Sequence, residues 1–253
     1  MGLLPLGDDI KRRRIAYPYF TWGIVGICVA VFLWQVSLGE DGFTRSLYGY
    51  GVIPSVLLGG DSLDPRLARV AAPLTLLTSQ FLHGSWLHLG GNMLFLWVFG
   101  DNIEDAMGHV RFIVFYLLCG AIAGLVFAIS DPTVQSPTIG ASGAIAAVLG
   151  AYIVLHPMAR ILVLAGFWLI HMPAFLLLGV WIGLQVLNAV YANPDELEVA
   201  FVAHVGGFVV GAILVFFFKR RPVPMLSTSK DSNLRVVGLP TRRPGERGPW
   251  GTA

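Results

Sequence analysis

Four polar side chains stand inside segments of this sequence that are otherwise apolar: His88 with Asn92, then Ser142, then His204. A serine hydroxyl is a weak nucleophile until a neighbouring base takes its proton, and histidine is the commonest such base. A second histidine and an amide could donate to the charge that develops on an attacked carbonyl. The combination therefore points to acyl transfer. Each residue also has a bland reading, because a serine in an apolar helix usually bonds its own backbone and an asparagine can simply hold two helices together. What decides is whether the elements that carry them bring them to one place.

Those elements are read from hydropathy. Of 253 residues 55% are apolar and only 13% charged, where a soluble domain carries roughly a quarter charged. Such a chain cannot cover a globule in water, which excludes a soluble enzyme and a nucleic-acid binder. Runs long enough for membrane helices, about 20 mostly apolar residues each, lie near 19–36, 85–104, 111–130, 142–156, 173–190 and 201–218. The expected fold is an all-α membrane protein, a bundle of six transmembrane helices. The basic run Lys11–Arg14 before the first span resembles the start of a signal peptide. The apolar stretch after it is too long, and five more spans follow, so it reads as an uncleaved anchor.

Basic residues orient the bundle. With six spans, Lys11, Arg12, Arg13, Arg14, Arg111, Arg160, Lys219, Arg220 and Arg221 fall on one side. Arg45, Arg66 and Arg69 fall on the other, with the acidic residues Asp195, Glu196 and Glu198. Both termini are thus expected in the cytoplasm. Residues 38–82 read as a structured outer loop whose apolar piece, 48–58, rests in the interface. The tail from Pro222, rich in proline and arginine, reads as disordered. Cys28 and Cys119 both sit in apolar runs and imply no disulfide framework. The division expected is a cytoplasmic segment 1–18, a six-helix domain 19–218 and a cytoplasmic tail 219–253.

Depth supplies the coincidence. A helix over 142–156 rises only about 21 Å, against a hydrocarbon core of ~30 Å. Its outer end is therefore expected to be sunken, with the loop 131–141 dipping to meet it beside a wet cavity. Counted from the cytoplasmic ends, Ser142 and His204 both stand roughly 21 Å up, Asn92 about 18 Å and His88 about 24 Å. Gly207 and Gly211 share a face with His204, while Ser142, Ala146 and Gly150 form a second small-residue face. Two such faces pack closely, which would bring His204 to Ser142 as a dyad. The amide of Ser142 and the side chains of His88 and Asn92 would serve as oxyanion donors. No acidic residue stands at that depth to make a triad. The sequence has no H-E-x-x-H zinc motif, and His83, His88 and His204 have no acidic or Cys co-ligand at their height, so no metal is expected.

At these residues the chain resembles the rhomboid family of intramembrane serine proteases. The resemblance rests on Gly140-Ala141-Ser142-Gly143, on His204 followed by Gly207 and Gly211, and on His88-Leu89-Gly90-Gly91-Asn92. His83 looks like the family's outer-loop histidine and Glu104 like its acidic position at the end of the second span, both in supporting roles. The resemblance covers roughly 19–218, and six spans without a seventh fit the family's basic form common in prokaryotes, which implies a prokaryotic cytoplasmic membrane. It implies cleavage of single-span membrane proteins in or beside their transmembrane helix, without a cofactor, with substrate entering from lipid past the fifth span. Three positions depart from the pattern. Leu74-Thr75 stand where Trp-Arg is frequent, and Ala146 stands where an aromatic often packs on the histidine. Asp105-Ala106 follow Glu104 where an arginine would form a local ion pair.

Two other readings stay open at this point. A catalytically inactive rhomboid-like protein would bind transmembrane helices for quality control, although such proteins usually lose the serine or histidine. A small transporter would place a substrate site in the same polar layer, but repeated halves and paired carboxylates are missing.

Overall fold

The computed structural model describes residues 3–191, 201–221 and 223–226. The acidic residues 195–198 and the tail beyond 226, both used in the reading above, lie outside the described residues. Strand β1 (Leu3–Asp8) precedes helix α1 (Tyr19–Ser37), and the outer segment then forms α2 (Gly39–Tyr50), α3 (Pro54–Leu57) and α4 (Ala72–Thr78). After a 3-10 turn at Ser79–Phe81 come α5 (Trp86–Met107), α6 (His109–Ser130) and α7 (Ser142–Leu155). A hairpin of β2 (Arg160–Ala165) and β3 (Trp168–Pro173) leads to α8 (Ala174–Tyr191), and α9 (Phe201–Phe218) follows.

Among the described residues four helices, α1, α6, α8 and α9, are long and apolar enough to cross a membrane. Their outward positions stay apolar: Ile27, Leu33, Leu187, Val190 and Phe217 are all exposed, which is costly in water and free in lipid. The protein is therefore an integral, multi-pass and mostly helical membrane protein. Helix α7 differs in kind. It has 14 residues, with Ala144 through Tyr152 buried without a break. A helix apolar on every side belongs at the centre of a bundle.

Helix α9 lies parallel to α7, with Gly207 over Gly143 and Gly211 over Ala147. A β-carbon on either glycine would overlap the facing carbonyl oxygen. Only a helix without side chains there allows so close an approach. The small face of α7 is made by Gly143, Ala147 and Gly150, one position round from the Ser142, Ala146, Gly150 face expected from the sequence.

The segment between α1 and α5 is folded onto the bundle. Within the apolar stretch 48–58, Val52 and Ile53 turn inward and are buried. Val52 exchanges two backbone hydrogen bonds with Thr138, at 2.9 and 2.7 Å. Extended backbone needs such partners once it leaves water, and the loop before α7 supplies them.

The sheet is a departure from an all-α fold. β1, β2 and β3 form three antiparallel strands in that order. Ala165 pairs with Trp168, leaving Gly166 and Phe167 as a two-residue loop, and Gly166 has φ +65°. Glycine at the first loop position suits a tight turn of the II′ kind. β1 then adds along β2, Leu3 facing Ala165, with an irregularity between Pro5 and Gly7. Proline is tolerated there because β1 is an edge strand. The segment ahead of α1 is thus bound to the bundle rather than free of it. The Asp8 carboxylate accepts from Tyr152 Oη at 2.6 Å and Asn102 Nδ2 at 2.7 Å. Asp105 accepts from the backbone of Arg13, Arg14 and Ile15 at 3.1, 2.6 and 2.8 Å.

Candidate active site

Ser142 is the first residue of α7, so its backbone N–H has no acceptor within the helix. Its Oγ lies 2.8 Å from Nε2 of His204 on α9. The close glycine packing one turn below sets that distance, because parallel helices in backbone contact bring their short side chains within reach. His204 is buried, Ser142 half-buried. A buried imidazole against a partly accessible hydroxyl can take the serine proton while a substrate still reaches the oxygen.

Gly140, two residues before Ser142, has φ +118°, a conformation open to glycine. A β-carbon there would stand 2.7 Å from His88 Nε2 and 3.6 Å from Asn92 Nδ2. Both side chains of α5 therefore line the backbone that leads to the serine. Asn92 Nδ2 is buried and has no hydrogen-bond partner among the described residues. Ser85 caps α5, its hydroxyl accepting from His88 N at 3.1 Å, which fixes where the helix and hence His88 begin. The Gly140 amide in turn donates to the Ser79 carbonyl at 2.9 Å.

His83 is fully buried beside this layer. Its ring meets that of His88 edge to face, centroids 5.1 Å apart, and its backbone N–H donates to Gln35 Oε1 at 3.1 Å. Glu104 lies at the other end of α5, fully buried. It accepts from Phe20 N at 3.1 Å, Thr21 N at 2.8 Å and Thr21 Oγ1 at 2.7 Å, and pairs with His109. A polar partner for Glu104, missing just after it in the sequence, is thus found five residues on. Glu104 ties the start of α1 to α5 and stands apart from the serine.

Two residues were missed by sequence reasoning. Gln185 Oε1 lies 2.8 Å from His204 Nδ1. Trp181, one turn earlier on α8, packs its ring 6.0 Å from the imidazole, tilted by 32°. It supplies from α8 the aromatic neighbour that Ala146 cannot supply from α7. A depth signal was available, since Gln185 stands roughly 17 Å above Ala174, in the layer of the other four.

A family model described as the rhomboid domain matches residues 71–221, more than half of the chain. The chain belongs to the rhomboid family. Rhomboid protein 1, mitochondrial, of Saccharomyces cerevisiae is 31% identical over 208 residues, covering 79% of this chain and 53% of that protein. RHOMBOID-like protein 5 of Arabidopsis thaliana is 30% identical over 161 residues, 64% of this chain and 49% of that one. The human presenilin-associated rhomboid-like protein, mitochondrial, is 34% identical over 145 residues, 56% of this chain and 34% of it. The chain spans about half the length of the first two. Several of these rhomboid relatives are named for mitochondria and one for the chloroplast, so the expected prokaryotic membrane finds no support among them. Their names say rhomboid or rhomboid-like and state no reaction.

Proposed function

We propose that this rhomboid protein is an intramembrane serine endopeptidase that cleaves transmembrane segments of single-span membrane proteins. The observation that carries the reading is the 2.8 Å contact between Ser142 Oγ and His204 Nε2. His204 takes the hydroxyl proton as Oγ attacks the peptide carbonyl, and returns it to the leaving amine as the acyl-enzyme forms. A water molecule then attacks the ester, passing its proton through the same imidazole and freeing the serine. Ser142 N–H at the start of α7, with donors from His88 and Asn92, holds the oxyanion between these steps. No cofactor takes part.

The same proposal places six crossings in the membrane, with α7 sunken and both ends of the chain on the basic side. The bundle 19–218 forms the protease domain, flanked by 1–18 and the tail 219–253.

The test is cleavage of a model single-span substrate by purified protein in liposomes, with Ser142→Ala and His204→Ala beside wild type. Cleavage by wild type alone, with folded and silent variants, supports the dyad. Equal cleavage by all three, or a folded wild type that neither cuts nor labels with a fluorophosphonate, overturns it in favour of helix binding without catalysis.

A further inference from the structure

An imidazole serves as base through one nitrogen only if the other carries the proton. Nothing in the Ser142–His204 contact selects the tautomer, because Nε2 could equally donate to the serine oxygen and leave it unactivated. A third group must choose. In hydrolases of other folds a carboxylate does this, and here no acidic residue stands in the layer among the described residues.

We infer that Gln185 is the positioning residue of His204, its Oε1 accepting the Nδ1 proton and leaving the Nε2 lone pair free for the Ser142 hydroxyl. The inference rests on the dyad reading above and deepens it. Gln185 Oε1 and Ser142 Oγ stand 2.8 Å from the two nitrogens of one ring. An amide oxygen only accepts, so the nitrogen facing it must donate. The other nitrogen of the neutral ring is then an acceptor. Trp181 lies four residues earlier, on the same face of α8, and packs on the same imidazole.

The rest of α8 explains why this face is needed. Its buried residues, Ala174, Leu177 and Leu178, all lie at its start. Farther along, Leu184, Val186 and Leu187 are exposed, and Gln185 is half-buried, turned toward α9. The polar contact is made where the helix is otherwise free to face lipid. A neutral orienter also suits the site, since a carboxylate at this depth would add a charge that lipid penalises.

The experiment compares wild type, Gln185→Met and Gln185→Glu in the full chain in liposomes, reading the rate of fluorophosphonate labelling of Ser142. A small phosphonate needs no lateral entry, so the rate reports the nucleophile alone. The methionine keeps the size and removes the acceptor, and labelling is expected to fall roughly ten- to hundredfold with unchanged thermal stability. Gln185→Glu returns an acceptor oxygen to the same place and is expected to recover most of the lost rate. Histidine ¹⁵N shifts in detergent give an independent reading, with the His204 proton expected on Nδ1 in wild type and mixed tautomers in Gln185→Met. A folded Gln185→Met that labels at the wild-type rate overturns the inference while leaving the dyad standing. A proton on Nε2 in wild type overturns it even if Gln185→Met does not fold. A wild type that does not label at all overturns the dyad and this inference with it.

Discussion

Gly211 of α9 rests directly on the carbonyl of Ala147 of α7, with no room for a β-carbon between them. The contact lies two turns below His204 and fixes the spacing of the two helices that carry Ser142 and His204. Overpacking of such an interface costs about 1–3 kcal/mol and moves backbone. Gly211→Ala is therefore expected to lower the unfolding midpoint in detergent. It should also slow fluorophosphonate labelling more than the stability loss accounts for, because the Ser142–His204 distance opens. Labelling at the wild-type rate in a folded Gly211→Ala protein would show that the distance is set elsewhere.

Gly140 carries a different burden. Any side chain there meets both a positive φ of +118° and the His88 ring. Strain of this kind costs about 1–3 kcal/mol, and the ring of His88 or the loop must give way. Gly140→Ala should keep the bundle folded, since the loop lies outside the helices, yet lose most serine labelling. Circular dichroism and labelling on one sample check both halves of the expectation.

Glu104 is expected to matter for stability and not for chemistry. Its carboxylate satisfies two backbone amides and a hydroxyl at the start of α1. Glu104→Ala leaves those donors without an acceptor at about 1–3 kcal/mol each. Glu104→Gln keeps one acceptor oxygen and should cost less. Thermal unfolding of both variants, with labelling measured well below the transition, separates the roles. A labelling loss equal in the two variants would place Glu104 in the reaction.

Asp8 makes the three-stranded sheet pH-sensitive. Burial pushes its carboxyl up from 3.8 to about 7, against the opposing hydrogen bond from Tyr152. A folded state that holds a proton more tightly than the unfolded one loses stability as pH rises between the two values. Attachment of β1 should thus be firmest near pH 4, weaken as pH rises toward about 7, and level off above that. Hydrogen exchange of residues 3–8, corrected for intrinsic rates, is expected to show less protection at about pH 8 than at about pH 5. Asp8→Asn should flatten the dependence.

The sequence carried the site further than it carried the fold. Ser142 and His204 were legible because a polar residue in an apolar helix stands out, and because helical rise converts sequence position into depth. Gln185 obeys the same arithmetic and could have been found by it. The glycine faces were legible as small residues at i and i+4, while the one-position rotation of the α7 face was not, since several small residues run together there. The hairpin was hidden for another reason. Ile161 through Ala165 is a short, uninterrupted apolar run with no alternation, which reads alike as a buried strand or a turn of helix. β1 is illegible by itself, because Leu3–Asp8 is a strand only by virtue of β2, far along the chain. The inward turn of Val52 was also lost, since its partner Thr138 belongs to a loop with no pattern.

The pairing of β1 with β2 constrains the order in which the molecule assembles. Leu3 meets Ala165 across the sheet, so residues 3–8 have no strand to join until α1 through α7 have been synthesised. Contacts between such distant positions form late, because loop closure is costly before other contacts shorten it. The pairing works as a latch thrown after the helices are in. With Asp8 seated against Tyr152 of α7 and Asn102 of α5, it closes only when α7 stands beside α5, and so registers that the helix bearing the serine has reached its place.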